Sequence, residues 1–162
     1  ALCDTTGETV ALARASGLQL AIVHYVVADR ELRVVPRIGM NLPLYSTSGG
    51  RVLLAMESDE DVRILVGEAY EDLTGMTVKT LPQLLELIAD VRAKGLAIDL
   101  GETLEGVCTI AGALDTLFGR FSIPLLVPAP RFHKHETFYR QELMQCKEAI
   151  VNEIGRIISV GE

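Results

Sequence analysis

The 162-residue chain is 49% apolar and 23% charged, which argues against a disordered protein and predicts one globular domain over residues 1–162. Its 15 Lys and Arg against 22 Asp and Glu give a formal charge of -7, and the basic residues are scattered, which argues against a DNA-binding surface on this chain. No apolar run is long enough to span a bilayer, and no basic leader is visible. Three widely spaced cysteines (Cys3, Cys108 and Cys146) favour a reducing compartment, so we expect a cytoplasmic protein without membrane association.

The first forty residues carry strand patterns separated by short turns. A loosely alternating run at 8–16 ends at Gly17, and a β-rich run follows at 18–28. Asp29-Arg30 then predicts a turn into a third strand at 32–35. Closely spaced strands with short turns are typical of antiparallel hairpins.

Three helices follow, and each is marked by a capping residue. Ser46 and Thr47 precede the first, Ser58 precedes the second, and Thr80 precedes the third, which Gly95 ends. Residues three and four apart share a helix face and predict the buried positions. These are Val62, Leu65 and Val66 in the second helix, and Leu84, Leu85, Ile88 and Val91 in the third.

Strand patterns return in the second half of the chain. Pro124 lies inside the last of them and predicts an edge position, a bulge or a shortened strand, because proline has no N–H to donate. The three strands are predicted at 96–98, 107–114 and 121–127, with turns at 101 and 117–119.

A long helix is predicted to close the chain, beginning near Lys134 or His135. The arrangement is therefore an α+β domain, an antiparallel sheet covered by helices. The predicted buried stripe of the last helix is Tyr139, Leu143, Cys146, Ile150, Ile154 and either Ile157 or Ile158.

Two segments resemble a known family. Residues 39–55 read GMNLPLYSTSGGRVLLA, and residues 80–111 contain TLPQL, VRAKG, DLGE, GV and IA in that order. Together they resemble the effector-binding domain of IclR-type bacterial transcriptional regulators. The resemblance implies a GAF-like fold, a small-molecule pocket on one face of the sheet, and assembly into a homodimer or homotetramer. It also implies an N-terminal winged helix-turn-helix domain that binds DNA; this domain is absent here, and the start without Met agrees with a fragment of a longer protein.

The resemblance also implies which residues bind the effector. The backbone amides of Ser48 and Gly49 correspond to positions that hold a carboxylate in small-acid-binding relatives. A helix N-terminus suits an anion on physical grounds as well, although paired glycines at such a place also serve simply to allow a tight turn. The remaining pocket positions are Val34, Leu42, Tyr45, Asp99, Val107, Thr109, Pro124 and Leu126.

The chain departs from the family pattern inside this predicted pocket. Pro124 and Leu126 stand where two hydroxyl residues hydrogen-bond a polar acid, and Thr109 stands where Cys is frequent. Gly101 replaces the first member of an acidic pair and leaves Glu102. A pocket changed in this way should recognise a larger, more apolar or aromatic molecule, provided that the register around Pro124 is not slipped by one residue.

Other chemical signals are weaker. His133 and His135 lie two apart in a polar stretch, which is more typical of solvated surface residues than of a metal site, and Cys108 in an apolar strand is typical of packing. Asp99 and Glu102 could form an acid–base pair but more often mark a turn. No phosphate loop or nucleophile elbow is present, so we expect no cofactor and no enzyme activity. A GAF-like sensor of another signalling protein, an oligomerisation domain and a small enzyme remain as alternatives.

Overall fold

Six strands form one antiparallel sheet in the structure, a computed structural model that describes residues 1–160 and the side chains of residues 1–154. The strand order across the sheet is β3-β2-β1-β6-β5-β4. The long hairpin of β5 and β6 and the hairpin of β1 and β2 meet at the centre, where β1 pairs with β6. The strands are β1 (Thr9–Ser16), β2 (Gln19–Val26), β3 (Asn41–Pro43), β4 (Ala97–Leu100), β5 (Val107–Thr116) and β6 (Gly119–Pro128).

Helices cover both faces of the sheet. The helix α2 packs on one face, with α4 against it, while α1 and α5 pack on the other. Each face has its own apolar core cluster, since successive side chains of a strand point to opposite sides. The predicted α+β class, an antiparallel sheet flanked by helices, is therefore confirmed. The helices are α1 (Leu2–Thr6), α2 (Ser48–Leu54), α3 (Asp59–Val66), α4 (Leu81–Lys94) and α5 (Ala129–Val160).

The capping signals predicted three helix starts correctly. The hydroxyls of Thr47, Ser58 and Thr80 each accept a hydrogen bond from the N–H three residues later, at 3.0, 3.1 and 3.4 Å. Gly95 ends α4 in the left-handed conformation, with a φ of 75°. One buried position was predicted wrongly: Leu65 of α3 is 38% exposed.

The strand predicted at 32–35 is wrong, because this segment is irregular and the third strand forms at Asn41–Pro43 instead. Its backbone groups bond to side chains rather than to a neighbouring strand. Thr9 Oγ1 accepts from the N–H of Ala28 at 3.0 Å and donates to the carbonyl of Val34 at 2.7 Å. Arg131 donates to the carbonyl of Leu32 at 2.7 Å. These partners are distant in sequence, so the local β propensity did not reveal them.

Pro124 lies in the interior of the sheet, which corrects the prediction of an edge position or a shortened strand. The strand β6 pairs along its whole length with β5, and it pairs with β1 at Ser122, Leu125 and Leu126. The pairing with β1 runs through Leu125 and resumes at Ser122, and it skips the position of Pro124. A proline in a central strand is tolerated here because its missing N–H interrupts only one of the two ladders.

The last helix begins at Ala129, earlier than the predicted start near Lys134 or His135. His135 has non-helical dihedral angles (φ -126°, ψ 20°), so the predicted start coincides with a kink inside α5. Tyr139 and Leu143 are buried as predicted, and Cys146, Ile150 and Ile154 are partly buried. The predicted positions Ile157 and Ile158 lie outside the residues whose side chains are described.

A buried ion pair fixes the start of α5 to the sheet. Glu8 is fully buried, and Arg131 donates to both of its carboxylate oxygens, at 2.7 and 2.9 Å. Tyr139 donates to the same carboxylate at 3.0 Å, and burial raises the pKa of its hydroxyl to about 12. Arg131 also donates a hydrogen bond to the carbonyl of Leu32 in the irregular segment. The pair therefore connects the start of β1, the start of α5 and the segment that leads to β3.

Candidate effector site

Eight of the ten residues predicted to contact an effector line one cavity between α2 and the sheet. They come from five elements, β3, α2, β4, β5 and β6. The cavity has a volume of about 40 Å³. The eight residues are Leu42, Ser48, Gly49, Asp99, Val107, Thr109, Pro124 and Leu126.

Val34 and Tyr45, the other two predicted residues, do not line this cavity. The Tyr45 hydroxyl donates to the carbonyl of Glu71 and accepts from its N–H, at 3.1 and 2.9 Å, while its ring packs edge-on against Tyr70. Val34 packs on the core cluster beside α2, and its carbonyl is bonded to Thr9. Both residues pack in the core cluster that also contains the lining residues Leu20 and Leu126.

The start of α2 supplies the polar end of the cavity. Thr47 Oγ1 donates to the carbonyl of Pro43 at 2.9 Å and accepts from Gly50, while Arg51 N–H donates to the Thr47 carbonyl. The first N–H groups of a helix have no partner within it, and those of Ser48 and Gly49 belong to two residues that line the cavity.

Ser48 and Asp99 place oxygen atoms in the wall. Ser48 Oγ and Thr109 Oγ1 are hydrogen-bonded at 2.6 Å, across the gap between α2 and β5. Asp99 is only 2% exposed, and burial raises the pKa of its carboxyl to about 6. The N–H of Glu102 partly compensates by donating to Asp99 Oδ1 at 2.7 Å. The site therefore combines two hydroxyls with a carboxyl that is easily protonated.

A second buried ion pair holds α2 against the end of β4. Arg51 is 1% exposed and donates to both carboxylate oxygens of Glu102, at 2.8 and 2.5 Å. It also donates to the carbonyl of Tyr45 at 2.9 Å. The sequence marked Glu102 as the remaining member of an acidic pair, but it did not indicate the contact with Arg51. This pair fixes Glu102, whose N–H in turn orients Asp99.

The sequence did not identify every residue of the lining. Leu20 and Ile22 alternate on β2 and could have been assigned to this face from strand periodicity. Thr103 and Leu104 lie in the loop after β4, where no periodic signal exists. No Lys, Arg or His is among the described residues that line the cavity. The lining added by the structure is Leu20, Ile22, Thr47, Thr103 and Leu104.

The remaining chemical candidates lie elsewhere. Cys108 is buried on the opposite face of the sheet from Thr109, and burial raises the pKa of its thiol to about 11, so it stays protonated and unreactive at neutral pH. His133 and His135 contact the aromatic rings of Phe132 and Tyr139. Within residues 1–154, no three His, Cys, Asp or Glu side chains are close enough to hold a metal ion.

A larger apolar cavity of about 440 Å³ lies on the opposite face of the sheet, among α1, β1, β2, the β5–β6 hairpin and α5. None of the ten predicted effector residues lines it. Over the part of the chain that the structure describes, no helix is both long and apolar enough to cross a membrane.

The comparisons with known proteins agree with this fold. Residues 1–152 match the family described as "Bacterial transcriptional regulator IclR C-terminal". The chain belongs to the IclR family. The regulator TtgV of Pseudomonas putida is 37% identical over 155 residues, which are 96% of this chain and 60% of TtgV. KdgR of Escherichia coli is 31% identical over 159 residues, 98% of this chain and 59% of KdgR.

Solved structures of IclR-family regulators superpose on this chain. The C-terminal domain of E. coli KdgR gives a TM-score of 0.82 at 26% identity, covering 95% of this chain and 92% of that one. The Agrobacterium tumefaciens repressor BlcR gives 0.84 at 26% identity, covering 94% and 62%. The chain spans about 60% of the length of TtgV and KdgR, so it corresponds to one part of those regulators. Because the relatives are named as transcriptional regulators, the chain belongs to a non-enzymatic family.

Proposed function

We propose that this chain is the effector-binding and oligomerisation domain of a transcriptional regulator, and that its effector binds in the cavity beside α2. The observation that carries the proposal is the convergence of eight predicted contact residues, from five elements, on one cavity. The chain spans about 60% of the length of TtgV and KdgR, which supports the proposal that a separate N-terminal winged helix-turn-helix domain binds the operator. The regulator works in the cytoplasm as a homodimer or homotetramer.

The walls favour an apolar, aromatic effector over a small hydroxy or keto acid. Pro124 and Leu126 present carbon where a polar acid would need hydroxyls, and no cation lines the cavity among the described residues. A carboxylate would also lie close to Asp99, which is largely ionised at neutral pH because its pKa is about 6. A neutral hydroxyl, by contrast, can donate to Asp99 or to the hydroxyl pair of Ser48 and Thr109. A phenol or an aromatic alcohol therefore fits this set of groups best.

Effector binding must widen the cavity. Its volume of about 40 Å³ holds a few water molecules, whereas even benzene occupies a cavity of about 150 Å³. The side chains of Leu20, Leu42 and Leu104 line the cavity and can change rotamer to admit the effector. Arg51 and Glu102, in contrast, are held in place by their ion pair. The effector therefore binds an altered conformation, and this difference couples binding to subunit arrangement, typically by about 1–3 kcal/mol.

A thermal-shift measurement of the 162-residue chain tests the proposal. The panel contains 4-ethylphenol as a neutral aromatic, benzoate as an aromatic acid and glyoxylate as a short acid. A compound at about 100 times its dissociation constant stabilises by roughly 2.7 kcal/mol, which is about 5–10 °C for a chain of this size. We expect 4-ethylphenol to give the largest shift. No shift with any compound, in a folded chain, would leave oligomerisation as the better account.

Two glycine variants show which cavity binds. A Cβ at Gly49 would lie 2.9 Å from both Leu20 Cδ2 and Ser122 Oγ, so Gly49→Ala reduces the space of the proposed site. A Cβ at Gly112, on the opposite face of the sheet, would meet only Lys147 Cδ at an ordinary 3.5 Å, so Gly112→Ala is the matched control. We expect the first variant to lose most of the thermal shift and the second to keep it.

A further inference from the structure

Ser122 is a buried hydroxyl without a partner, and it lies next to the cavity. Its side chain is 0% exposed, and no hydrogen bond to its Oγ exists among the described residues. The positions opposite it on the neighbouring strands are Ala13 and Ala113, which offer no polar side chain. A buried hydroxyl left unpaired is destabilising, so such a group calls for a specific explanation.

The strand β6 aims Ser122 at the same side as the effector site. Ser122, Pro124 and Leu126 are two residues apart and therefore share one face of the sheet. Pro124 and Leu126 line the cavity. Ser122 is thus the next position along the same wall, about 7 Å from Pro124.

The Ser122 hydroxyl lies close to two residues that line the cavity. Gly49 and Leu20 both line the cavity, and a Cβ at Gly49 would lie 2.9 Å from Ser122 Oγ and from Leu20 Cδ2. Ser122 Oγ therefore lies close to Gly49 and near the end of the Leu20 side chain, both of which line the cavity. A rotation of Leu20 is the movement that an extension of the cavity to Ser122 requires.

We propose that the effector cavity extends to Ser122 and that Ser122 Oγ hydrogen-bonds a second polar group of the effector. The inference rests on the proposed function and adds to it a specificity-determining residue. One end of the effector lies at Ser48, Asp99 and Thr109, and the other end lies at Ser122. The effector class is then an aromatic ring that carries hydrogen-bonding groups at opposite ends, in place of a ring with a single polar group.

Two compounds of the same shape test the inference. 4-Hydroxybenzyl alcohol and 4-ethylphenol differ only in that a hydroxyl of the first replaces a methyl group of the second. Titration calorimetry with the 162-residue chain should show tighter binding of the alcohol. Ser122→Ala should weaken the alcohol about five- to tenfold, the value of one net hydrogen bond, and leave 4-ethylphenol within about twofold.

Stability provides the second measurement. Because Ser122 makes no hydrogen bond in the free protein, Ser122→Ala should leave the melting temperature unchanged or raise it. Ser46 is the matched control, since it is equally buried but accepts a hydrogen bond from Thr103 Oγ1 at 3.0 Å. Ser46→Ala should lower the melting temperature and leave the preference for the alcohol intact.

The outcomes separate this inference from the proposed function. If both compounds bind and Ser122→Ala weakens them equally or not at all, the Ser122 contact is wrong and the effector site stands. A fall in melting temperature as large as that of Ser46→Ala would also overturn it, since Ser122 would then be a structural residue. If neither compound binds the wild-type chain, the effector site itself fails, and the extension fails with it.

Discussion

The buried carboxyl of Asp99 should make the stability of the domain depend on pH. Burial raises its pKa from 3.8 to about 6, so the folded protein binds this proton more tightly than the unfolded chain does. The stabilising contribution of the protonated carboxyl is complete below pH 3.8 and is lost as the pH rises to about 6. A difference of about two pKa units corresponds to roughly 3 kcal/mol of unfolding free energy.

Asp99→Asn removes this titration and keeps the shape. The amide oxygen can still accept from the N–H of Glu102, which bonds Asp99 Oδ1 at 2.7 Å. Urea unfolding of both proteins should show the wild type losing about 2 kcal/mol relative to the variant between about pH 4 and 7.5. Other titrating groups are common to both proteins and cancel in the difference.

A difference between Asp99→Asn and the wild type that stays constant over this pH range would mean that Asp99 ionises as a solvated carboxyl does. The cavity would then be open to water, and the reasoning for an apolar effector site would be refuted.

Three further variants test the supports and the selectivity of the site. Glu8→Gln breaks the buried pair with Arg131 and should cost about 3 kcal/mol in urea unfolding, whereas a cost below about 1 kcal/mol would mean that the pair is solvated. Gly50→Ala places a Cβ against backbone atoms that cannot move aside and should cost about 3 kcal/mol or more, while Gly49→Ala, which meets only side-chain ends, should cost less than about 1 kcal/mol. Equal losses for the two glycine variants would contradict this geometry. Pro124→Ser restores a hydroxyl to the wall and should shift selectivity about tenfold from 4-ethylphenol towards glyoxylate in competition thermal shifts; unchanged selectivity would show that Pro124 does not contact the effector.

Local signals predicted much of the fold because their causes are local. The capping hydroxyls of Thr47, Ser58 and Thr80 bond to N–H groups three residues away, so the sequence contains both partners within one turn. The segment at 32–35 failed for the opposite reason. Its carbonyls bond to Thr9 and Arg131, which lie 25 and 99 residues away in the chain.

The candidate site residues were inferred from the order of the family motifs, and eight of them line one cavity, but the sequence did not indicate the contacts between the motifs. The sequence placed Ser48 and Thr109 on one site, but their mutual hydrogen bond required the packing of α2 on β5. The sequence did not indicate that Arg51 and Glu102 form a buried ion pair, because two charged residues 51 positions apart produce no periodic pattern in the sequence. Ser122 escaped notice for the same reason, since only the packing reveals that its hydroxyl has no partner.

The position of a bound effector is the most direct test of the proposed site, because the structure offers a second and larger apolar cavity on the other face of the sheet. Amide chemical shifts of the isotope-labelled chain, recorded during a titration with 4-ethylphenol, would locate it. If the effector binds beside α2, the largest changes will be at Ser48, Gly49 and Thr109. Changes centred on Leu12 and Phe121, in the larger cavity, would contradict this assignment.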